Sequence, residues 1–256
     1  MTRHPLPAAG LLSAVAAAGL VLLLRSGGPP GRPLVVYTAA SLRPVAEACA
    51  ADFEAKTGRR VELRAGGSEY LLTQARQSAT ASPADVFLPA DDSYLRDAAS
   101  FGLAGPATPI GRMRAVVLAQ YPVETWAALT APNIRLALAD PRLAAVGRLT
   151  RDHLITTGKW ADFAGRVAVH TDTVTESATA VRAGGVDAAV VWDVVARQHP
   201  TLPASDLPEL GGVTATVAAA VLYQSHEPDA AAAFVAFLAD PAGGRPHFAR
   251  AGFAVP

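Results

Sequence analysis

Cysteine and lysine are scarce in this chain, and each scarcity excludes a class of site. Cys49 is the only cysteine, so an internal disulfide is excluded. Its spacing to Val45 and Phe53 places it on the apolar face of a helix, which favours a buried thiol over a reactive one. Lys56 and Lys159 are the only lysines, and no phosphate-binding loop containing a lysine is present.

The sequence also lacks an excess of charge and any clustered metal ligands. The 22 lysines and arginines balance the 22 aspartates and glutamates, which favours neither nucleic acid nor an acidic polymer as a partner. None of the 6 histidines pairs with another at metal-ligand spacing, which disfavours a zinc site. The run 66–70 (GGSEY) lacks the closing glycine of a nucleophile elbow, which weakens the case for a serine hydrolase.

One long apolar run stands near the start of the chain. Residues 5–24 contain no charged side chain, and Arg3 and Arg25 flank them, a pattern typical of a secretory leader or a signal anchor. The linker that follows shows no obvious cleavage site, and no cysteine stands close enough to carry a lipid. We expect residues 1–31 to be an uncleaved membrane anchor with its linker, and a removed leader is the alternative. Either one places the remaining chain outside the cytoplasm.

Strand and helix patterns alternate along the rest of the chain. This alternation indicates an α/β fold with a parallel sheet and ligand sites at the carboxyl ends of its strands. The pattern restarts at Arg114, and about 225 residues are enough for two small lobes. We predict a two-lobed fold with a central cleft and crossing strands. Lobe 1 would comprise residues 34–112 plus 219–256, and lobe 2 residues 113–218.

Two serines stand where an extended apolar stretch gives way to a helical pattern. Ser41 follows the predicted strand 34–37, and Ser68 follows the strand 60–63 and two glycines. A serine at a helix start carries its hydroxyl beside backbone N–H groups that have no partner inside the helix. Two such helix starts facing one cleft would form a receptor for a small anion, built from dipoles rather than from lysines.

This combination of motifs resembles the molybdate-binding proteins that feed ABC-type importers, which are members of the periplasmic binding-protein superfamily. The resemblance extends over roughly residues 34–256 and is specific as an ordered set. Its motifs are 36–42 (VYTAASL), Gly67-Ser68 with Leu71 and Gln74, 82–87 (SPADVF), 138–141 (LADP) with Gly147, 188–192 (AAVVW) and 251–253 (AGF).

The resemblance implies a binding protein, not an enzyme, that holds a tetrahedral oxyanion by hydrogen bonds alone, without a cofactor or a direct cation ligand. The implied donors are the hydroxyls of Ser41 and Ser68, the main-chain N–H groups of Val146 and Val174, and the side chain of Trp192. We expect Val146 in a loop just before a helix over 148–157, and Val174 just before a helix over 176–183. Family members carry a tyrosine where this chain has Trp192, whose indole N–H donates a hydrogen bond but accepts none.

The expected ligand is therefore molybdate or its near twin tungstate, and the expected partner is the importer permease in the membrane. We expect a monomer in the periplasm or on the outer face of the cytoplasmic membrane, tethered by its apolar segment and binding no nucleic acid. Trp192 and Glu69 depart from the family pattern, so another oxyanion or small solute is an alternative ligand. A membrane-tethered enzyme with Ser41 or Ser68 as nucleophile, and a tethered anion sensor, are further alternatives.

Overall fold

Strands and helices alternate through the chain as the sequence patterns predict. The computed structural model describes residues 32–77 and 83–256, so the predicted anchor and linker at 1–31 lie outside the described residues. Within the described ranges, no helix combines the length and the apolar character needed to cross a membrane.

The described chain forms a sheet of short and long strands with helices between them. The strands are β1 (Leu34–Ala39), β2 (Val61–Gly66), β3 (Val86–Leu88), β4 (Thr108–Ala119), β5 (Leu136–Ala139), β6 (Val167–Thr171), β7 (Ala188–Trp192), β8 (Ala204–Ser205) and β9 (Thr214–Val221). The α-helices are α1 (Arg43–Thr57), α2 (Ser68–Gln77), α3 (Ser93–Ser100), α4 (Trp126–Leu129), α5 (Ala145–Thr156), α6 (Trp160–Ala164), α7 (Val174–Arg182), α8 (Asp193–Ala196), α9 (Pro228–Ala239) and α10 (Arg245–Ala251). Short 3-10 turns span Ala40–Leu42 and Pro208–Leu210.

The sheet has two parallel halves that are joined by two long antiparallel strands. The strand order is β2-β1-β3-β9-β4-β7-β5-β6, and β8 pairs with β4. β1 is parallel to β2 and β3, and β5 is parallel to β6 and β7. β4 pairs with β9 through its first part and with β7 from Ala115 onward, so β4 leads into the second half and β9 returns to the first. The predicted lobe boundaries fall inside or beside these two strands, and they stay a prediction.

Buried apolar residues explain why the first half folds as it does. All of β1 is buried, in keeping with a central strand that has neighbours on both sides. Helix α1 carries a proline at its start and ends at Gly58, whose φ of 71° is the left-handed conformation that favours glycine. Cys49 is fully buried on the inner face of α1, and burial raises the pKa of its thiol to about 12. The predicted burial of this cysteine is therefore confirmed.

The structure differs from the sequence prediction at several helix ends and in three short elements. Helix α5 begins three residues earlier than predicted and α7 two residues earlier, which moves Val146 and Val174 from the expected loops into first helical turns. The sequence patterns did not predict α6, α8 or β8, which span five, four and two residues. Elements of this length are too short to show a periodicity of their own.

Helix α5 approaches β5 so closely that only a glycine fits at one point of contact. A Cβ atom built on Gly147 would overlap the carbonyl oxygen of Ala139 and lie 2.9 Å from the Ala139 carbonyl carbon. These atoms are backbone atoms of a buried strand, so they cannot move aside as a flexible side chain would. Gly147 therefore sets the position of the start of α5 against the carboxyl end of β5.

We expect Gly147→Ala to destabilise the protein by about 2–3 kcal/mol, because the added methyl must displace either α5 or β5. Urea unfolding followed by circular dichroism would measure the change. Gly165→Ala is the matched control, since its Cβ would meet the nearest backbone oxygen at an ordinary 3.5 Å with φ at −64°. The control should change the free energy of unfolding by less than about 0.5 kcal/mol. Equal unfolding midpoints for the two variants would contradict the packing argument.

Candidate anion-binding site

The structure places all the predicted ligand residues around one cavity between the two halves of the sheet. Ser41 and Ser68 come from the first half, and Val146, Val174 and Trp192 from the second. The rest of the wall consists of small residues and a threonine, namely Ala39, Ala40, Gly66, Gly67, Ala90, Ala144, Ala145 and Thr173. The site is thus assembled from the ends of several separate elements.

The cavity is small. It leaves about 10 Å³ for the centre of a water-sized sphere, which is close to the space that one bound water needs. An organic substrate usually occupies a pocket of several hundred cubic ångströms. The closed cleft therefore suits a compact ligand of a few heavy atoms.

The hydroxyl of Ser68 is held in an orientation that leaves its proton free. Ser68 is the first residue of α2 and is buried, and its Oγ accepts a hydrogen bond of 3.1 Å from the backbone N–H of Ala90. The hydroxyl has its acceptor side engaged and makes no donor bond to a described residue, so its hydrogen can point to a ligand in the cavity.

Ser41 supplies a second hydroxyl from the end of β1. It lies in the 3-10 turn Ala40–Leu42 that connects β1 to α1, and it is buried. Its hydroxyl has no hydrogen-bond partner in the described part of the chain, and the N-cap of this turn is Ala39, two residues before Ser41. Ser41 therefore does not act as a capping side chain.

Val146 and Val174 bring backbone donors from two helix starts in the second half. Val146 is the second residue of α5, whose N-cap Ala144 has no side-chain group to satisfy the first N–H groups. Val174 is the first residue of α7, where the Thr173 hydroxyl accepts from the N–H of Glu176 and leaves the N–H of Val174 free. The side chains of both valines are buried, so their N–H groups are the polar atoms they offer.

Trp192 closes the cavity at the end of β7. The residue is buried, and its indole N–H makes no hydrogen bond to a described residue. The neighbouring Asp193 does not line the cavity, because its Oδ1 accepts from the backbone N–H groups of Arg114 and Val194. Glu69, beside Ser68, is also absent from the cavity wall.

The electrostatic character of the cavity comes from dipoles alone. No charged side chain lines it, whereas the starts of α2, α5 and α7 and of the turn before α1 all meet there. Each helix start carries partial positive charge on N–H groups that lack partners. Such fixed donors favour an anion over a cation.

The two halves touch beside the cavity, so the described structure is a closed form. The backbone N–H of Glu69 donates to the carbonyl oxygen of Leu143 across the cleft, with a nitrogen–oxygen distance of 3.1 Å. A Cβ on Gly67 would lie 2.5 Å from that same oxygen and 3.1 Å from the carbonyl oxygen of Asp172. The sequence indicated only a flexible glycine pair here, and the requirement for a bare backbone appears only once both halves are in place.

An ion pair shapes the loop that leads into α5. The hydrogen bonds from the Arg142 guanidinium lower the pKa of Asp140 to about 2. Oδ1 of Asp140 also accepts from the backbone N–H of Arg142, and its carbonyl accepts from Leu143 and Ala144. Asp140 thereby fixes the turn that carries Leu143 to the cleft contact and Ala144 to the start of α5.

Comparison with known proteins defines the class to which this fold and cavity belong. Residues 34–254 match the family model described as bacterial extracellular solute-binding protein, and the chain belongs to that family. The molybdate-binding protein ModA of Mycobacterium bovis is 31% identical over 96% of this chain and 97% of its own length. The resemblance predicted from the sequence motifs is confirmed.

Solved structures of binding proteins share the fold. The periplasmic molybdate-binding protein of Azotobacter vinelandii superposes with a TM-score of 0.74 at 21% identity, over 87% of this chain and 99% of its own. The sulfate-binding protein SubI from Mycobacterium tuberculosis H37Rv gives a TM-score of 0.71 at 18% identity, over 86% of each chain. The predicted two-lobed α/β binding-protein fold is therefore confirmed.

Replacing Asp140 by asparagine should destabilise the protein in a pH-dependent way. The folded pKa of Asp140 is lowered, so its contribution is complete above pH 4 and is lost as the pH falls towards 2. We expect Asp140→Asn to cost about 1 kcal/mol at pH 7, after allowance for water around the exposed Arg142, and almost nothing at pH 2. Urea unfolding of both proteins between pH 2 and 7 would measure this difference. A gap that stays constant over the range would refute the assignment.

Proposed function

We propose that this protein captures molybdate, or its near twin tungstate, in the interlobe cavity and delivers it to an ABC-type importer in the membrane. The observation that carries this proposal is the convergence of hydroxyl and N–H donors on a small cavity without any charged wall residue. The molybdate-binding protein ModA of Mycobacterium bovis, which is 31% identical over nearly its whole length, supports the choice of ion.

The donor set favours a fully deprotonated dianion. Backbone and indole N–H groups cannot accept a hydrogen bond, so the side-chain acceptors in the wall are the hydroxyl oxygens of Ser41, Ser68 and Thr173. Ser68 already accepts from Ala90 and Thr173 from Glu176, which leaves few acceptors for an O–H of the ligand. A protonated ligand such as hydrogen phosphate carries its own O–H, which needs an acceptor in the site. Burying that O–H without a good acceptor costs about 1–3 kcal/mol, so the site discriminates against it.

A different tetrahedral oxyanion is the second candidate, and sulfate is its first representative. Sulfate shares the shape and charge of molybdate but is smaller, so the width of the closed cavity decides between the two. Trp192 supports this candidate. Its indole N–H is a donor only, whereas the tyrosine hydroxyl that the family resemblance implies at this position both donates and accepts. The sulfate-binding protein that shares the fold shows that the same architecture accommodates more than one member of this class.

Hydrolytic chemistry has little support from the cavity. A serine nucleophile needs a base within hydrogen-bond reach, yet no histidine, carboxylate or lysine lines the described cavity around Ser41 and Ser68. We further propose that residues 34–112 with 219–256 and residues 113–218 are the lobes that close on the ion. In this proposal the protein works as a monomer at the outer face of the membrane, tethered by residues 1–31.

Removing either serine hydroxyl should weaken the binding of molybdate by about 10-fold to 100-fold, since each donates to a charged ligand. Isothermal calorimetry and thermal shift with molybdate, tungstate, sulfate and phosphate on Ser41→Ala and Ser68→Ala would measure the loss. Ser100→Ala is the control, because its exposed hydroxyl bonds only to the carbonyl of Asp97. Absence of both heat and stabilisation with any of the four ions in the unmodified protein would disprove the proposed function.

Trp192→Phe should lower the affinity for the ion about tenfold while leaving the fold intact, because only the N–H donor and part of the ring are lost. Trp192→Tyr, which restores a donor at the position, should recover part of that loss. Trp126→Phe is the matched control, since this tryptophan stacks on Phe163 at a centroid distance of 5.9 Å and does not line the cavity. If Trp192→Phe binds as tightly as the unmodified protein, the indole packs without donating.

A further inference from the structure

Arg148 reaches from the second half of the molecule to a helix of the first half. It follows Val146 by two residues in the first turn of α5, where its backbone N–H donates to the carbonyl of Ala144. Its guanidinium carbon lies 3.8 Å from the centroid of the Tyr94 ring on α3. Two further bonds end on the same helix, from Nη1 to the Asp97 carboxylate at 3.4 Å and from Nη2 to the hydroxyl of Ser93.

This contact differs from an ordinary surface ion pair. The Arg148 side chain is only 21% exposed, and Tyr94 beneath it is fully buried. A planar guanidinium can stack on an aromatic ring and donate from its edge at the same time, and partial burial strengthens both interactions. Arg148 forms no ion pair with a described residue of its own half, so its charged end is committed to the opposite half.

The partners of Arg148 are connected to the Ser68 side of the cavity. The Ser93 hydroxyl donates to Asp91, and Asp91 also accepts from the backbone N–H of Thr216 in the crossing strand β9 at 3.3 Å. The residue before Asp91 is Ala90, whose N–H holds the oxygen of Ser68. One short segment therefore orients the Ser68 hydroxyl, anchors to β9 and receives the arginine.

We propose that Arg148 is a positioning residue that clasps the two halves around the bound ion and slows the ion's release. The inference rests on the proposed function, because it assigns to Arg148 the closure of that same site. Val146 donates from one end of the clasp, and the Ala90–Ser68 pair lies at the other. When the clasp is formed, the donors from opposite halves are held at the spacing that encloses a tetrahedral anion.

The clasp should act on dissociation and hardly on association. An ion enters the open cleft before Arg148 meets α3, whereas it can leave only after that contact breaks. We expect Arg148→Gln to raise the dissociation rate constant of molybdate about tenfold and to change the association rate constant less than twofold. Arg148→Lys keeps the charge but loses the stacking and the second donor, so it should give an intermediate rate.

The experiment is stopped-flow fluorescence on the full chain, with molybdate as the ligand, excess tungstate as the chase and the tryptophan signal as the readout. Arg151→Gln is the matched control, because this arginine lies on the same helix and pairs only with the adjacent Asp152. Asp97→Asn tests the clasp from the other half and should raise the dissociation rate about twofold to threefold. Small-angle scattering of the ion-free proteins, run in parallel, should give a larger radius of gyration for Arg148→Gln than for Arg151→Gln.

The outcomes separate the clasp from the proposed function. Dissociation of molybdate from Arg148→Gln at a rate within twofold of the Arg151→Gln control would overturn the clasp and leave anion binding in place. Failure of the unmodified protein to bind molybdate or tungstate would instead overturn the proposed function. In that event the small-angle scattering tests the clasp by itself. Equal radii of gyration for Arg148→Gln and Arg151→Gln would then overturn the clasp as well.

Discussion

Backbone N–H groups at helix starts have no partner within the helix, and this constraint governs the architecture around the cavity. Elsewhere a capping side chain or water satisfies such groups. In this protein the first turns of α5 and α7 face the small cavity between the two halves, and Ala144 offers α5 no side-chain cap. Leaving these donors buried and unpaired would be costly, so the closed form gains stability when an anion accepts their hydrogen bonds.

Close approach of backbones is what brings the helix starts together. Gly147 lets α5 lie directly on β5, and Gly67 lets α2 meet the carbonyl groups of Leu143 and Asp172. A side chain at either position would hold the elements apart by more than the tolerance of a hydrogen bond, which weakens steeply as its geometry departs from the optimum. The two glycines thus have different roles. Gly147 fixes the packing of α5 on β5 within the second half, and Gly67 permits the two halves to close.

The sequence predicted the order of strands and helices because the strands are apolar runs and the longer helices have clear periodicity. It also pointed to Ser41 and Ser68, since each stands where a strand pattern gives way to a helical one, whereas Trp192 was implied only by the family resemblance. It placed Val146 and Val174 in loops. Ala144 carries no capping side chain, so α5 shows no start signal, whereas the Thr173 cap of α7 was a signal that the sequence reading missed. Ala90 and Arg148 carried no signal at all. Their contacts depend on how the two halves pack against each other, and a single sequence does not predict that packing.

Charged residues surround the cavity but stay out of it, and this arrangement has a consequence for selectivity. Asp140 pairs with Arg142, and Asp193 accepts from backbone N–H groups away from the cavity wall. A lysine or arginine in the wall would attract any anion, because Coulomb attraction is long-ranged and tolerant of direction. Hydrogen bonds from fixed dipoles are short-ranged and directional instead. A neutral wall therefore distinguishes ligands by the number, direction and protonation of their oxygens, and the charge of Arg148, the proposed clasp residue, lies outside that wall.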